Sequence, residues 1–210
     1  MMKPRHLLFS GLLAACCLFL SGCALQSSQP PATLYDLGPS SSMPSERMLP
    51  GDMPMLVVFK VNSSDWLNNT KMYYRLAHVN DQQTRFYTLS RWNESPPKLF
   101  HDRLKSRIVA AGGEIAGQRA SRPDQLRLIV NVEDFSQYFT DDSHSEGRIA
   151  LRVSVLDKDG LVAQKSFLHT VAALSPDAPG GAKALSVATD EVIAEILLWI
   201  VENDKKDKSG

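Results

Sequence analysis

Two runs in the second half of the chain alternate apolar and polar positions with a period of two. Leu126, Leu128, Val130 and Val132 interleave with Arg127, Ile129, Asn131 and Glu133, and Ile149, Leu151, Val153 and Val155 interleave with Ala150, Arg152 and Ser154. Successive side chains on a strand point to opposite faces, so the pattern predicts two strands of a half-buried sheet. A polar, acidic link over residues 140–147 joins them. Asp159-Gly160 predicts a tight turn into a third strand over residues 161–172. In the first half, the β-branched run at residues 54–61 reads as a buried strand, closed by a polar turn at 62–65. Residues 72–76 and 85–89 read as short strands joined by a hairpin at 80–83.

Two segments repeat at helical spacing instead. Ser95 and Pro96 form a start signal, after which Phe100, Leu104, Ile108 and Ala111 line one face, and Gly112-Gly113 stops the helix. A Pro/Gly segment at 175–181 precedes a last helix over about 182–201. Its inner face is Leu185, Val192, Ile196 and either Trp199 or Ile200. The tail from 202 is charged and expected to fray. The predicted order is βββα-βββα. The fold class is α+β, an antiparallel or mixed sheet of six to seven strands with two helices on one face. The seventh strand would come from Leu34-Tyr-Asp-Leu-Gly38, an island in the Ser/Pro/Gln-rich stretch 24–53.

The first residues alter the picture. Lys3 and Arg5 precede an apolar run of about 14 residues, shorter than the ~20 a membrane span needs. Leu20-Ser-Gly-Cys23 then has the form of a lipobox: a branched apolar residue, two small ones and a cysteine. Cys23 is the expected lipidation site, carrying diacylglycerol and an N-acyl chain. More than one chain is needed for a stable anchor, at roughly 0.8 kcal/mol per buried methylene. Residues 1–22 are then a signal peptide, 23–53 a lipidated tether, 54–203 a single α+β domain and 204–210 a charged tail. If the island joins the sheet, the free tether is about ten residues and reaches roughly 35 Å. Ala24 follows the cysteine where analogy with enterobacterial lipoproteins would associate Asp with inner-membrane retention. The expected location is therefore the outer membrane, facing the periplasm.

Little chemistry remains. Cys16 and Cys17 leave with the signal and Cys23 is lipidated, so no thiol is left for a disulfide, a metal or a nucleophile. The chain holds 23 basic and 23 acidic residues, a balance that argues against nucleic-acid binding. His101-Asp102 are neighbours on a helix and point apart, so they form no dyad. Asp141, Asp142, His144 and Glu146 lack the glycine turn and final bidentate glutamate of a calcium loop. Asn68-Asn69-Thr70 matches a glycosylation sequon, of little weight behind a bacterial lipobox. No hydrolase elbow, zinc helix, phosphate loop or dinucleotide fingerprint occurs. The expectation is a non-enzyme without cofactor or metal site. The aromatic residues Trp66, Tyr73, Tyr74, Phe86, Tyr87 and Trp92 are most simply core and strand-face groups, with a lipid-contacting groove as the other reading.

Residues 72–99 carry a specific resemblance. Tyr74-Arg75, Tyr87, Arg91-Trp92, Pro96-Pro97 and Leu104 resemble the signature of ABC-type transport auxiliary lipoproteins, the paraquat-inducible protein C-like family. The island Tyr35-Asp-Leu-Gly-Pro39 is similar to that family's opening motif. The resemblance implies a non-catalytic part in intermembrane lipid transport. The implied partners are a mammalian-cell-entry periplasmic protein with its permease and ATPase, and outer-membrane lipid. A symmetric homo-oligomer is compatible with a ring-shaped conduit. Tyr74, Arg75, Tyr87, Arg91, Trp92 and Pro96 then become signature and interface candidates; for Arg91 and Trp92 a structural role, with Trp92 wedging the hairpin against the sheet and Arg91 paired with a carboxylate, and an interface role stay equally open. The competing class is an outer-membrane assembly or cell-wall lipoprotein of the export-barrel plug or pilotin type.

Overall fold

The computed structural model describes residues 30–39, 54, 56–115 and 125–207. The signal segment, Cys23 and residues 40–53 of the expected tether lie outside the described residues. Within the unit Ala32–Gly210, the first alternating run becomes β5 (Leu126–Phe139), a 14-residue strand inside a seven-stranded mixed sheet. β6 (Ser145–Leu156) and β7 (Leu161–Ala172) follow it as an antiparallel meander. Their turn closes on Asp157, whose Oδ1 accepts the Asp159 and Gly160 N–H groups at 2.8 and 2.9 Å. Gly160 sits at φ 138°, a conformation that favours glycine.

Two strands share the other edge of β5. β2 (Leu56–Ser63) runs parallel to its first half and β3 (Lys71–Leu76) parallel to its end. Between them lies a 3-10 turn, Asp65–Leu67, which plugs Leu67 into the core. Asn69 fixes the crossing: its Nδ2 donates to the Trp66 carbonyl at 2.7 Å and its Oδ1 accepts the Lys71 N–H at 2.9 Å. β4 (Thr84–Trp92) returns antiparallel beside β3, and β1 (Thr33–Tyr35) adds to its far side as a parallel edge strand. The island does join the sheet. One expectation is corrected: the β3–β4 link is not a bare hairpin, because α1 (Ala77–Asn80) precedes its turn. The described residues thus contain three α-helices instead of two. One turn of helix shows no repeating apolar stripe, so periodicity could not reveal it.

α2 (Pro96–Ala110) begins where Pro96 and Pro97 lack only N–H groups that a first turn leaves unused. Phe100, Leu104 and Ile108 are fully buried. Gly112, at φ 80°, and the Gly113 N–H bonded to the Ile108 carbonyl at 2.9 Å end the helix. α3 (Ala178–Asp207) runs 30 residues, longer than expected at both ends. Asp177 caps it, accepting the Gly180 N–H at 2.9 Å, so the Pro/Gly segment supplies the first turn. This corrects the expectation that the whole Pro/Gly segment at 175–181 precedes the helix. Gly181 sits close against Gln137, and a Cβ there would force that side chain to shift. Gly147 of β6 meets α3 in the same way, a Cβ falling 2.5 Å from the Leu185 nitrogen.

α3 lies across β6 and β7, and α2 packs on β2 and against α3. Leu128, Val130, Val132 and Phe135 of β5 and Ile149, Leu151, Val153 and Val155 of β6 are buried with Leu185, Val192, Ile193 and Ile196 of α3. Each such side chain contributes about 1.5–3 kcal/mol of transfer free energy. Both readings of the last inner position hold: Ile200 is buried, and Trp199 packs edge-on to Phe167 at 5.7 Å. Among the described residues, no helix covers the other face of the sheet.

Candidate functional site

Residues paired across strands share a face, so register sorts the signature residues. Tyr74 pairs with Gln137, and Trp92 with Tyr35, on the helix side. There Trp92 is 1% exposed and packs edge-on to Phe135 at 5.5 Å. Tyr74 lies 4.8 Å from Tyr87 between ring centres, and the Tyr87 hydroxyl donates to Gln137 Oε1 at 2.8 Å. Gln137 in turn donates to Ser145 Oγ at 2.8 Å. Burial, then the neighbouring Tyr74 and Asp177, pushes the Tyr87 hydroxyl well above its usual pKa. Pro96 is buried in the first turn of α2. Arg75 and Arg91 point the other way, onto the helix-free face. The signature therefore divides into four groups that build the core side and two cations that stay outside it.

The helix-free face is cationic. Register places Arg75 with Tyr138, Arg148 with Ser136, Arg152 with Asn131, and Arg127 with Leu156. Lys60 pairs with Ile129 and Arg91 with Lys71. Among the described residues, three carboxylates share this face: Glu133, bonded to Arg152 at 2.7 Å, Asp134, and Glu146 opposite Tyr138. Asp134 is desolvated, which pushes its carboxyl above the usual range despite the Ser136 hydroxyl and the nearby Arg75 and Arg148. Several cations lie over rings. Lys71 Nζ is 4.3 Å from the Phe86 centroid, and the Arg75 and Arg148 guanidiniums are 5.8 and 4.9 Å from Trp66 and Tyr138. Tyr73 stands edge-on between Trp66 and Phe86, at 5.0 and 6.4 Å. Arg91 has no carboxylate partner among the described residues; its register neighbours are Lys71 and Leu34.

A second constellation went unread in the sequence. Arg103 and Arg107 of α2 converge on Asp190 of α3. Arg107 Nε and Nη2 lie 3.0 and 2.9 Å from Asp190 Oδ1, and Arg103 Nε lies 3.8 Å away. All three are largely buried. Arg103 also donates to the carbonyls of Leu37 and Gly38, and the Ser186 hydroxyl donates to the Leu37 carbonyl. Leu37 itself is 5% exposed. The island is thus clamped between the two helices, beside a groove of about 720 Å³ lined by Leu34, Pro39, Ala182, Lys183 and Val187 among others. Two arginines four residues apart on a helix carry no sequence mark that separates a solvated face from a buried ion pair, because their partner lies in the other helix.

The acidic loop closes on itself. Asp141 Oδ1 accepts the Ser143 and His144 N–H groups at 2.7 and 2.9 Å, and Asp142 pairs with His78 at 3.0 Å. One further expectation is corrected: His101 and Asp102 do not point apart, since His101 Nδ1 lies 3.1 Å from the Asp102 carboxylate, which also pairs with Lys98 on the exposed surface of α2. Among the described residues, no group of three or more His, Cys, Asp or Glu could hold a metal, and no helix is long and apolar enough to cross a membrane.

Residues 35–197 match the family model of the ABC-type transport auxiliary lipoprotein component. The matched family is non-catalytic, in agreement with the expected lack of enzymatic activity. No curated protein matches the chain. The solved structure of protein XCC0632 from Xanthomonas campestris is similar at TM-score 0.63 and 17% identity, covering 86% of this chain and 91% of that one. A second solved structure, of an uncharacterised protein, also gives TM-score 0.63 and 17% identity, covering 81% and 99%. These likenesses show a shared fold.

Proposed function

Because the chain belongs to the ABC-type transport auxiliary lipoprotein family, we propose that it is the lipid-anchored periplasmic subunit of a mammalian-cell-entry type intermembrane lipid transport system. Cys23 carries the acyl anchor, and the body faces the periplasm from the outer membrane. There it docks the periplasmic conduit that an inner-membrane permease and ATPase serve. The subunit supplies a fixed position and a binding surface; the energy comes from the ATPase.

One observation carries this reading beyond the family match: the clamp on Leu37 and Gly38. A segment close behind the expected anchor is built into the sheet and held by a buried arginine. With the tether restrained there, only about ten residues separate Cys23 from the sheet, and the body stays within roughly 35 Å of its membrane. Such a short leash suits a subunit that must meet a conduit at a defined height.

Brief crosslinking in cells followed by detergent pull-down of C-terminally tagged protein tests the proposal. Recovery of a mammalian-cell-entry protein together with its permease is the expected result, lost in a Cys23→Ser control. Recovery of an export barrel, a secretin or peptidoglycan in their place would overturn it.

A further inference from the structure

We propose that the helix-free face of the sheet is a docking surface for an acidic segment of a partner protein. The inference requires only that the chain is an auxiliary component and does not depend on which transport system it serves.

Charge is the first argument. The whole chain has formal net charge +0, yet among the described residues this face carries seven cations against three carboxylates, so its surplus is local. Charge complementarity selects an anionic occupant. The second argument concerns the kind of cation. The face holds five of the chain's twelve arginines but only two of its eleven lysines. Protein interfaces are enriched in arginine and aromatic residues and depleted in lysine. A general attraction to anionic lipid makes no such distinction between the two cations.

Order is the third argument. The Arg75 and Arg148 guanidinium carbons lie over Trp66 and Tyr138, and Arg75 also donates to the Asp81 carbonyl at 3.1 Å, contacts that restrict both side chains before any partner arrives. A fixed guanidinium fork loses less freedom on pairing with a carboxylate. Arg148 Nε is buried without a hydrogen-bond partner among the described residues, leaving a donor beside this face. Phe86, Val162 and Leu168, at 41, 40 and 55% exposure, add apolar ground among the cations. The occupant is therefore an acidic segment that also carries apolar side chains.

The test uses the native lipoprotein in neutral detergent micelles and a fluorescent oligoglutamate peptide, read by anisotropy. Two variants carry the same change in net charge. Lys71→Glu with Arg91→Glu alters the open face, and Lys105→Glu with Lys183→Glu alters exposed positions on the helices. Lys71→Gln with Arg91→Gln serves if the first pair fails to fold. The expected result is peptide binding that weakens with added salt, at least about tenfold weaker in the open-face variant and unchanged in the helix variant. Equal loss in both variants would reduce the effect to bulk charge and overturn the proposal. So would absence of peptide binding; tryptophan quenching by brominated phosphatidylglycerol in the micelles that is lost in Trp66→Phe would then assign the face to a lipid surface.

Discussion

Trp92 shows how one side chain can belong to a signature and still be structural. The ring is 1% exposed, edge-on to Phe135, and no partner can touch it while the core is closed. Truncating it empties a large volume among Leu and Phe neighbours, so Trp92→Ala should cost about 3–5 kcal/mol in urea unfolding. Unchanged melting combined with lost partner binding would instead move Trp92 to the interface. Asp190 is the other residue on which much converges. It is the only carboxylate within reach of two buried guanidiniums among the described ion pairs. Asp190→Ala leaves both cations unpaired in a medium that solvates them poorly, a loss of about 3–5 kcal/mol. Arg103→Met should be milder, because it leaves Arg107 and Asp190 as a balanced pair. Denaturant midpoints of the two variants decide whether that asymmetry is real.

Between elements, the contact of α3 with β6 depends on an absent side chain. At Gly147 an added Cβ meets the Leu185 nitrogen at 2.5 Å and the Ala184 carbonyl carbon at 2.7 Å, both backbone atoms that cannot rotate away. Gly147→Ala should therefore lift the helix and cost about 1–3 kcal/mol, as overpacked cores do, measurable by thermal melting. At the other side of the same contact, Glu195 of α3 binds Lys165 at 2.9 Å and His169 at 2.7 Å on β7. The Lys165 bond, with His169 behind it, lowers the Glu195 pKa below its ordinary 4.5. A depressed carboxylate stabilises the fold above its unfolded pKa and ceases to do so as pH falls through the folded value. The melting difference between wild type and Glu195→Gln should thus be present at neutral pH and shrink to nothing at strong acid. A difference that persists there would mean the tie is not ionic. The sheet itself was largely legible, because Val130 and Val132 or Leu151 and Val153 declare one face by alternation. The pairing of β2 and β3 along one edge of β5 was not, since register between distant segments leaves no local pattern. Nor was the Arg103, Arg107 and Asp190 cluster, whose parts lie on separate helices and individually resemble solvated positions.

For the molecule as a whole, the decisive question is where the tether ends. The sequence marks the island as an apolar interruption in a Ser/Pro-rich stretch, but not what restrains it. Restraint comes from Arg103, Ser186 and the buried Leu37 together. If the clamp sets the leash, loosening it should raise the number of residues between Cys23 and the body from about ten to about thirty, an upper limit on reach of roughly 35 Å against roughly 100 Å. Arg103→Met removes the donor to both carbonyls while sparing the sheet, which β1 contacts through only three residues. Chymotrypsin reports the outcome, because Tyr35 lies within the restrained segment and extended chain is cut far faster than chain held in a sheet. Cleavage after Tyr35 should be slow in the native protein and several times faster in Arg103→Met, with the remaining domain intact and its circular dichroism preserved. Equal cleavage in both proteins would show that β1 pairing alone holds the island. The buried arginine would then serve only the contact between α2 and α3.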